Sequence, residues 1–204
     1  MTRRRSALAA LMAGLALAAT ALVPSAGAQD VEISPGGELA TFTARVTGIV
    51  NAETIKVRTA SGRTRIVELA GVDSPLIRRN GDVECGALGA LDALVRKAFT
   101  KPRDTDGDGL KDAPGGSGRK VTVSTDPGVS LPGGRLWAYV EPTGKGGQFN
   151  VTQLLGGWAT IKDRGASLAQ GSNLAAAKLA AQSSGAGVWG ACNGDFHVDG
   201  SVIY

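Results

Sequence analysis

The chain has 204 residues, of which 43% are hydrophobic, 20% charged and 4% aromatic, with 30 glycines, two cysteines and one histidine. That is the size of one ordinary domain with its own core, and neither a four-cysteine zinc site nor a two-cysteine, two-histidine one can be assembled from it. The apolar content excludes disorder of the whole chain, and glycine at roughly twice its usual frequency points to many turns. The few aromatics argue against a single-strand nucleic-acid binder that relies on base stacking.

Three arginines, Arg3, Arg4 and Arg5, precede an Ala-rich apolar run over 7–23 and a small-residue stretch ending at Ala28. This pattern reads as a secretory signal peptide over 1–28, cleaved after Ala28, and so predicts a secreted protein. The apolar run is short for a membrane span, and none is expected after cleavage. The arginine pair leaves Sec and twin-arginine export both open. The formal charge of +4 owes three of its units to this segment, so 19 basic side chains then face 18 acidic ones. Net charge therefore gives no support to nucleic-acid binding, and any such binding requires a local patch. In an oxidising compartment Cys85 and Cys192 are expected to be bridged; closing so long a loop is worth about 4–5 kcal/mol in the chain-entropy model.

Residues 29–40 carry Pro and Gly without periodicity and read as a linker. Short runs rich in Val, Ile and Thr over 41–50, 54–59 and 64–72, separated by turn residues such as Ser61-Gly62, predict a strand meander. Over 86–99, Leu88, Leu91, Leu94, Val95 and Ala98 recur at helical spacing and predict an amphipathic helix, stopped by Lys101-Pro102. An acidic, Gly-rich insert over 103–118 follows. Two further strands are expected at 119–125 and 135–141, then one helical turn and an extended piece within 150–161. A second full helix over 173–182 is stopped by Gly185 and Gly187. This order predicts an α+β protein with an antiparallel five-stranded barrel at its core. Trp137, Trp158 and Trp189 are expected to fill core, and residues 193–204 show no pattern. His197 reads as a solvated tail residue, and Asn150-Val151-Thr152 as a coincidental glycosylation motif.

Three stretches, taken in order, resemble the staphylococcal-type thermonuclease (SNase-like) family. They are TIKVR after a short acidic turn, ELAGVDSP over 68–75 and GGRLWAYV over 133–140. The segments Glu84-Cys85-Gly86 and 188–192 (VWGAC) resemble its cysteine-paired extracellular branch, and the match covers about 44–192. The resemblance implies an OB-type barrel with packed helices over 41–192. It also implies Ca²⁺-dependent phosphodiester hydrolysis, in which two aspartates hold the metal, a glutamate activates water and two arginines clamp phosphate. Oxygen ligands suit a hard cation, and guanidinium forks match phosphate.

Carried onto this chain, the family's D-G-D-T turn is Asn51-Ala52-Glu53-Thr54, which leaves Glu53 as a longer possible ligand. The aspartate of V-D-T-P is Asp73, and the arginine of Y-G-R is Arg135. The other arginine is Glu68 here and the water-activating glutamate is Leu76. Arg65, three residues upstream, belongs to the opposite face of the strand. A carboxylate about 5 Å from a phosphate at an effective dielectric near 20 repels it by about 3 kcal/mol, where arginine attracted it by as much. Leu76 cannot hold a water. Two readings of Glu68 stand: an Arg-paired or solvated residue in a decayed site, or one member of a Glu53, Glu68 and Asp73 cluster gripping a metal for different chemistry. Accordingly the chain is expected either to be a catalytically impaired binding or structural module, or to be an active Ca²⁺-dependent nuclease with a rearranged site on Glu53, Asp73 and Arg135.

Within the insert, Asp104, Asp106, Asp108, the Leu110 carbonyl and Asp112 follow the first part of a calcium loop, with Gly109 at its sharp turn. Position 12 of an EF-hand would be Gly115. The segment is therefore more similar to the loops of thrombospondin type 3 repeats and dockerins, and Ca²⁺ is expected to order it.

Overall fold

In the computed structural model, residues 40–78, 80–103, 118–127, 129, 131–162, 164 and 167–198 are described. Five strands, β1 (Thr41–Asn51), β2 (Thr54–Thr59), β3 (Thr64–Leu69), β4 (Lys120–Thr125) and β5 (Leu136–Pro142), close into a barrel in the order β1-β2-β3-β5-β4. Four helices accompany it: α1 (Ala87–Ala98), α2 (Phe149–Leu155), α3 (Gly171–Ser184) and the short α4 (Val188–Ala191). The α+β, OB-type barrel with packed helices expected from the sequence is thus present.

Alternation explains the strands. In β4, Val121, Val123 and Thr125 are buried while Lys120 is exposed, and in β2 Ile55 and Val57 point inward while Lys56 and Arg58 point out. These inward residues join Val46, Val67, Leu69 and Val140 in one core. One expectation is corrected: the barrel is not wholly antiparallel, because β3 runs parallel to β5, with Glu68 opposite Trp137. The long crossover from β3 to β5, which carries α1 and β4, permits this direction, whereas hairpins would not.

Helix α1 buries Ala87, Ala90, Leu94, Val95 and Ala98, so its inward face includes two alanines in place of the expected Leu88 and Leu91. Small residues there allow close approach: a Cβ at Gly89 would lie 2.6 Å from the Trp158 ring. In α3, Leu174, Ala177 and Ala181 form the buried stripe, and Gly185 ends the helix at a left-handed φ of 63°. The helical turn expected within 150–161 is the longer α2. Asn150 is fully buried there; its amide donates to the Ala70 and Ala138 carbonyls, and its oxygen accepts from the Val140 N–H. That role as a buried pin between α2, β5 and the end of β3 is incompatible with carrying a glycan.

Cys85 and Cys192 form a disulfide across 107 residues, with Cα atoms 6.1 Å apart. The bond sits in a second apolar cluster with Val188 and Phe196, against which Trp158 and Trp189 pack half-buried; Trp137 alone of the three tryptophans lies in the barrel core. Trp189 meets Phe196 edge-on at 4.9 Å between ring centroids. So small a cluster needs its covalent link. Replacing both cysteines with alanine should lower stability by about 2–5 kcal/mol, seen as a lower urea midpoint, and reductant should shift the native protein alike. No helix among the described residues is long and apolar enough to cross a membrane.

Candidate functional site

Glu53 lies in the tight turn between β1 and β2, whose Asn51 side chain accepts the Glu53 N–H at 3.1 Å. Its backbone carbonyl accepts from Leu69 N at 2.8 Å, which brings the turn against the end of β3. Glu68, next to Leu69, pairs with Thr54 on one side and Trp137 on the other. Beyond β3 the chain turns at Gly71, where φ is +70° and a Cβ would come within 2.4 Å of Leu174, so only glycine fits without strain. Asp73 then exchanges both backbone hydrogen bonds with Thr160, each 2.9 Å. These contacts gather Glu53, Glu68 and Asp73 at one end of the barrel.

That same bridge from Asp73 to Thr160 delivers a residue the sequence reading did not foresee. Two positions after Thr160, the Lys162 ammonium lies 2.9 Å from Glu53 Oε1, 3.3 Å from Asp73 Oδ1 and 3.7 Å from Glu68 Oε1. Glu68 is 2% exposed. It also pairs with Arg164, which stacks over the Trp137 ring at 4.8 Å, and with Arg135 Nη1 at 3.5 Å. Three carboxylates thus meet three cations. Burial works against the Lys162 charge, but the Glu53 hydrogen bond and the charges of Glu53, Asp73 and Glu68 outweigh it and hold its pKa above the usual lysine value. Glu53 also accepts from Ser74 N at 3.2 Å, yet burial keeps its carboxyl above the ordinary glutamate range.

The structure therefore brings Glu53, Glu68, Asp73 and Arg135 together, with the three carboxylates around an ammonium group. A Ca²⁺ ion requires six to eight oxygen ligands around its own charge. A lysine nitrogen at the point where these oxygens converge offers no ligand and repels the ion, so the donor set does not fit calcium. Among the described residues, no group of three or more His, Cys, Asp or Glu side chains is arranged to hold a metal ion. Of the two readings of Glu68, the geometry matches the Arg-paired one. Leu76 lines an apolar cleft of about 60 Å³ with Val50, Ile77 and Leu91, a packing role. The loop of Asp104, Asp106, Asp108, Leu110 and Asp112 lies outside the described residues.

Beside this network is a second one. Glu84, 4% exposed, accepts from Leu76 N at 2.7 Å and from Arg78 Nε and Nη2 at 3.1 and 3.0 Å. His197 is exposed, as expected, but it is not without partners: Nδ1 lies 2.9 Å from Glu84 Oε2 and Nε2 3.2 Å from Asp73 Oδ2. The Cys85 N–H to Val198 carbonyl bond, 3.0 Å, anchors the tail here. Burial opposes the imidazolium, but the hydrogen bonds to Glu84 and Asp73 prevail and raise its pKa above 6.5. For Glu84 burial is likewise outweighed, by His197, Leu76 N and Arg78, and its pKa falls below 4.5.

A raised histidine pKa stabilises the fold fully below the unfolded value of 6.5 and ceases to do so as pH rises through the folded value. The lowered Glu84 pKa contributes above 4.5 and is lost as pH falls through its folded value. The stability gap between native protein and His197→Ala should hence be widest between about pH 4.5 and 6.5 and shrink at pH 9, measured by urea unfolding.

No family model matches this chain, and no curated protein matches it either.

Proposed function

We propose that this chain is an exported, thermonuclease-like protein that does not hydrolyse nucleic acid and serves as a disulfide-braced binding or structural module outside the cell. The observation that carries the reading is Lys162: its ammonium contacts all three carboxylates where the thermonuclease resemblance calls for a metal. The barrel architecture and the disulfide support the family and the oxidising compartment. Leu76 supplies no base, and Arg135 is engaged by Glu68 instead of facing an empty phosphate site.

A fluorescence assay on DNA and RNA, with Ca²⁺ against chelator, tests this directly, and no Ca²⁺-dependent cleavage is expected. Turnover abolished by Arg135→Ala would establish instead an active Ca²⁺-dependent phosphodiesterase built on Glu53, Asp73 and Arg135.

Calcium belongs to this proposal at the insert, where the aspartate spacing of Asp104, Asp106, Asp108 and Asp112, with the Leu110 carbonyl, supports one bound ion. Its role is to order the loop. Calorimetry of the full chain should show binding with Kd on the order of 10⁻⁴–10⁻³ M, lost in Asp106→Ala; absence of heat in the native protein would remove the site.

A further inference from the structure

Charge is distributed far more unevenly along the chain than its net +4 suggests. Residues 41–67 hold five basic side chains, Arg45, Lys56, Arg58, Arg63 and Arg65, against the single acid Glu53. Register shows where part of that charge goes. Arg45 on β1 stands directly opposite Arg58 on β2 and directly opposite Lys120 on β4. All three residues are exposed. Three cations therefore stand in one row across neighbouring strands, a span of about 10 Å at the usual strand spacing. Like charges placed opposite each other destabilise a sheet, so this row lowers the stability of the free protein. Arg45 donates to the Gly118 carbonyl at 2.7 Å, which fixes the middle guanidinium in position.

The row floors a groove of about 600 Å³ that also presents Thr43, Thr47 and Thr59, and among the described residues no carboxylate lines it. The groove is on the outer barrel wall, away from the Lys162 network: Arg58 is five residues along the chain from Glu53, about 16 Å in an extended strand. We propose that this groove binds the phosphate backbone of duplex nucleic acid, without reading bases. Guanidinium forks, an ammonium and hydroxyls are the groups that hold phosphate oxygens. A row about 10 Å long exceeds one phosphate and spans about three nucleotides of a strand at 3.4 Å rise each. Among the described residues, no aromatic or amide side chain lines the groove to stack on a base or a sugar face, which disfavours single strands and glycans. Among the described residues, no large apolar side chain lines it to enter a bilayer, which disfavours a lipid surface. The inference is independent of whether the carboxylate site is active.

The test is fluorescence anisotropy of the full chain with a labelled 20-base-pair duplex of arbitrary sequence, in chelator, from 20 to 200 mM NaCl. Three phosphate contacts predict a slope of log K against log salt of about −2.7. Arg58→Ala and Lys120→Ala should each reduce the slope by about 0.9, and Arg58→Glu with Lys120→Glu should weaken binding at least tenfold at 20 mM salt. Neither alanine variant should unfold more easily than the native protein, since each relieves a like-charge pair. No binding at 20 mM salt, or a slope indifferent to these substitutions, overturns the proposal. So does binding to a sulfated glycan but not to the duplex. Duplex binding that emerges only after Asp104, Asp106, Asp108 and Asp112 are changed to Asn also overturns it, and names the chain's own acidic insert as the occupant.

Discussion

Replacing Lys162 with methionine is expected to cost about 3–5 kcal/mol at neutral pH, the range for leaving buried charges without their partner. Methionine keeps the length of the side chain but takes the ammonium from Glu53, and one of several cationic partners from Asp73 and Glu68. Burial already holds the Glu53 carboxyl above its usual range with the ammonium beside it; without it, the carboxyl rises further. An acid whose folded pKa exceeds its unfolded one favours the native state at low pH and loses that contribution as pH rises through the folded value. The Lys162→Met penalty should therefore be smaller at pH 5 than at pH 7.5, while removal of a purely packing side chain would cost the same at both. Urea unfolding of the two proteins at both pH values measures it.

Rebuilding the thermonuclease pattern gives the second large effect. Glu68→Arg with Leu76→Glu restores the phosphate clamp and the base by the family's assignment of roles, yet this double variant should remain inactive, because Lys162 would still lie among the oxygens meant for calcium. Adding Lys162→Ala should produce Ca²⁺-dependent DNA cleavage. Two unit charges about 4 Å apart at an effective dielectric near 20 interact by about 4 kcal/mol, which corresponds to orders of magnitude in rate, so removing the ammonium should let the triple variant exceed the double by at least a hundredfold. Arg135→Ala in the triple variant should remove the gain. A double variant that cleaves as well as the triple one would show that Lys162 is no obstacle.

The barrel was legible because strand alternation is local: Val121, Val123, Ile55 and Val57 report burial every second residue, although the run over 64–72 was read as strand where β3 in fact ends at Leu69 and the chain turns at Gly71. The positions of Glu53, Asp73, Glu68 and Arg135 were legible through resemblance. What the chain did with them was not, because the answer comes from far along it. Lys162 and Arg164 follow α2 in a stretch without periodicity, and they reach the carboxylates only because Thr160 pairs with Asp73, 87 residues earlier in the chain. His197 sits in an equally aperiodic tail, brought to Glu84 by the Cys85–Cys192 bridge and the Val198 carbonyl. The parallel pairing of β3 with β5 escaped notice for the same reason, since strand patterns show which face is buried but not the direction of a distant partner. The cationic row was not legible, because Arg45, Arg58 and Lys120 are scattered along the chain and only strand register puts them in a line.

Closure of the barrel has a consequence for self-association. With β4 paired to both β1 and β5, the sheet has no rim, and thus no row of unsatisfied amides to template the addition of a foreign strand. The protein gains from that arrangement resistance to fibril growth, which open sheets must obtain from charged or proline-bearing borders.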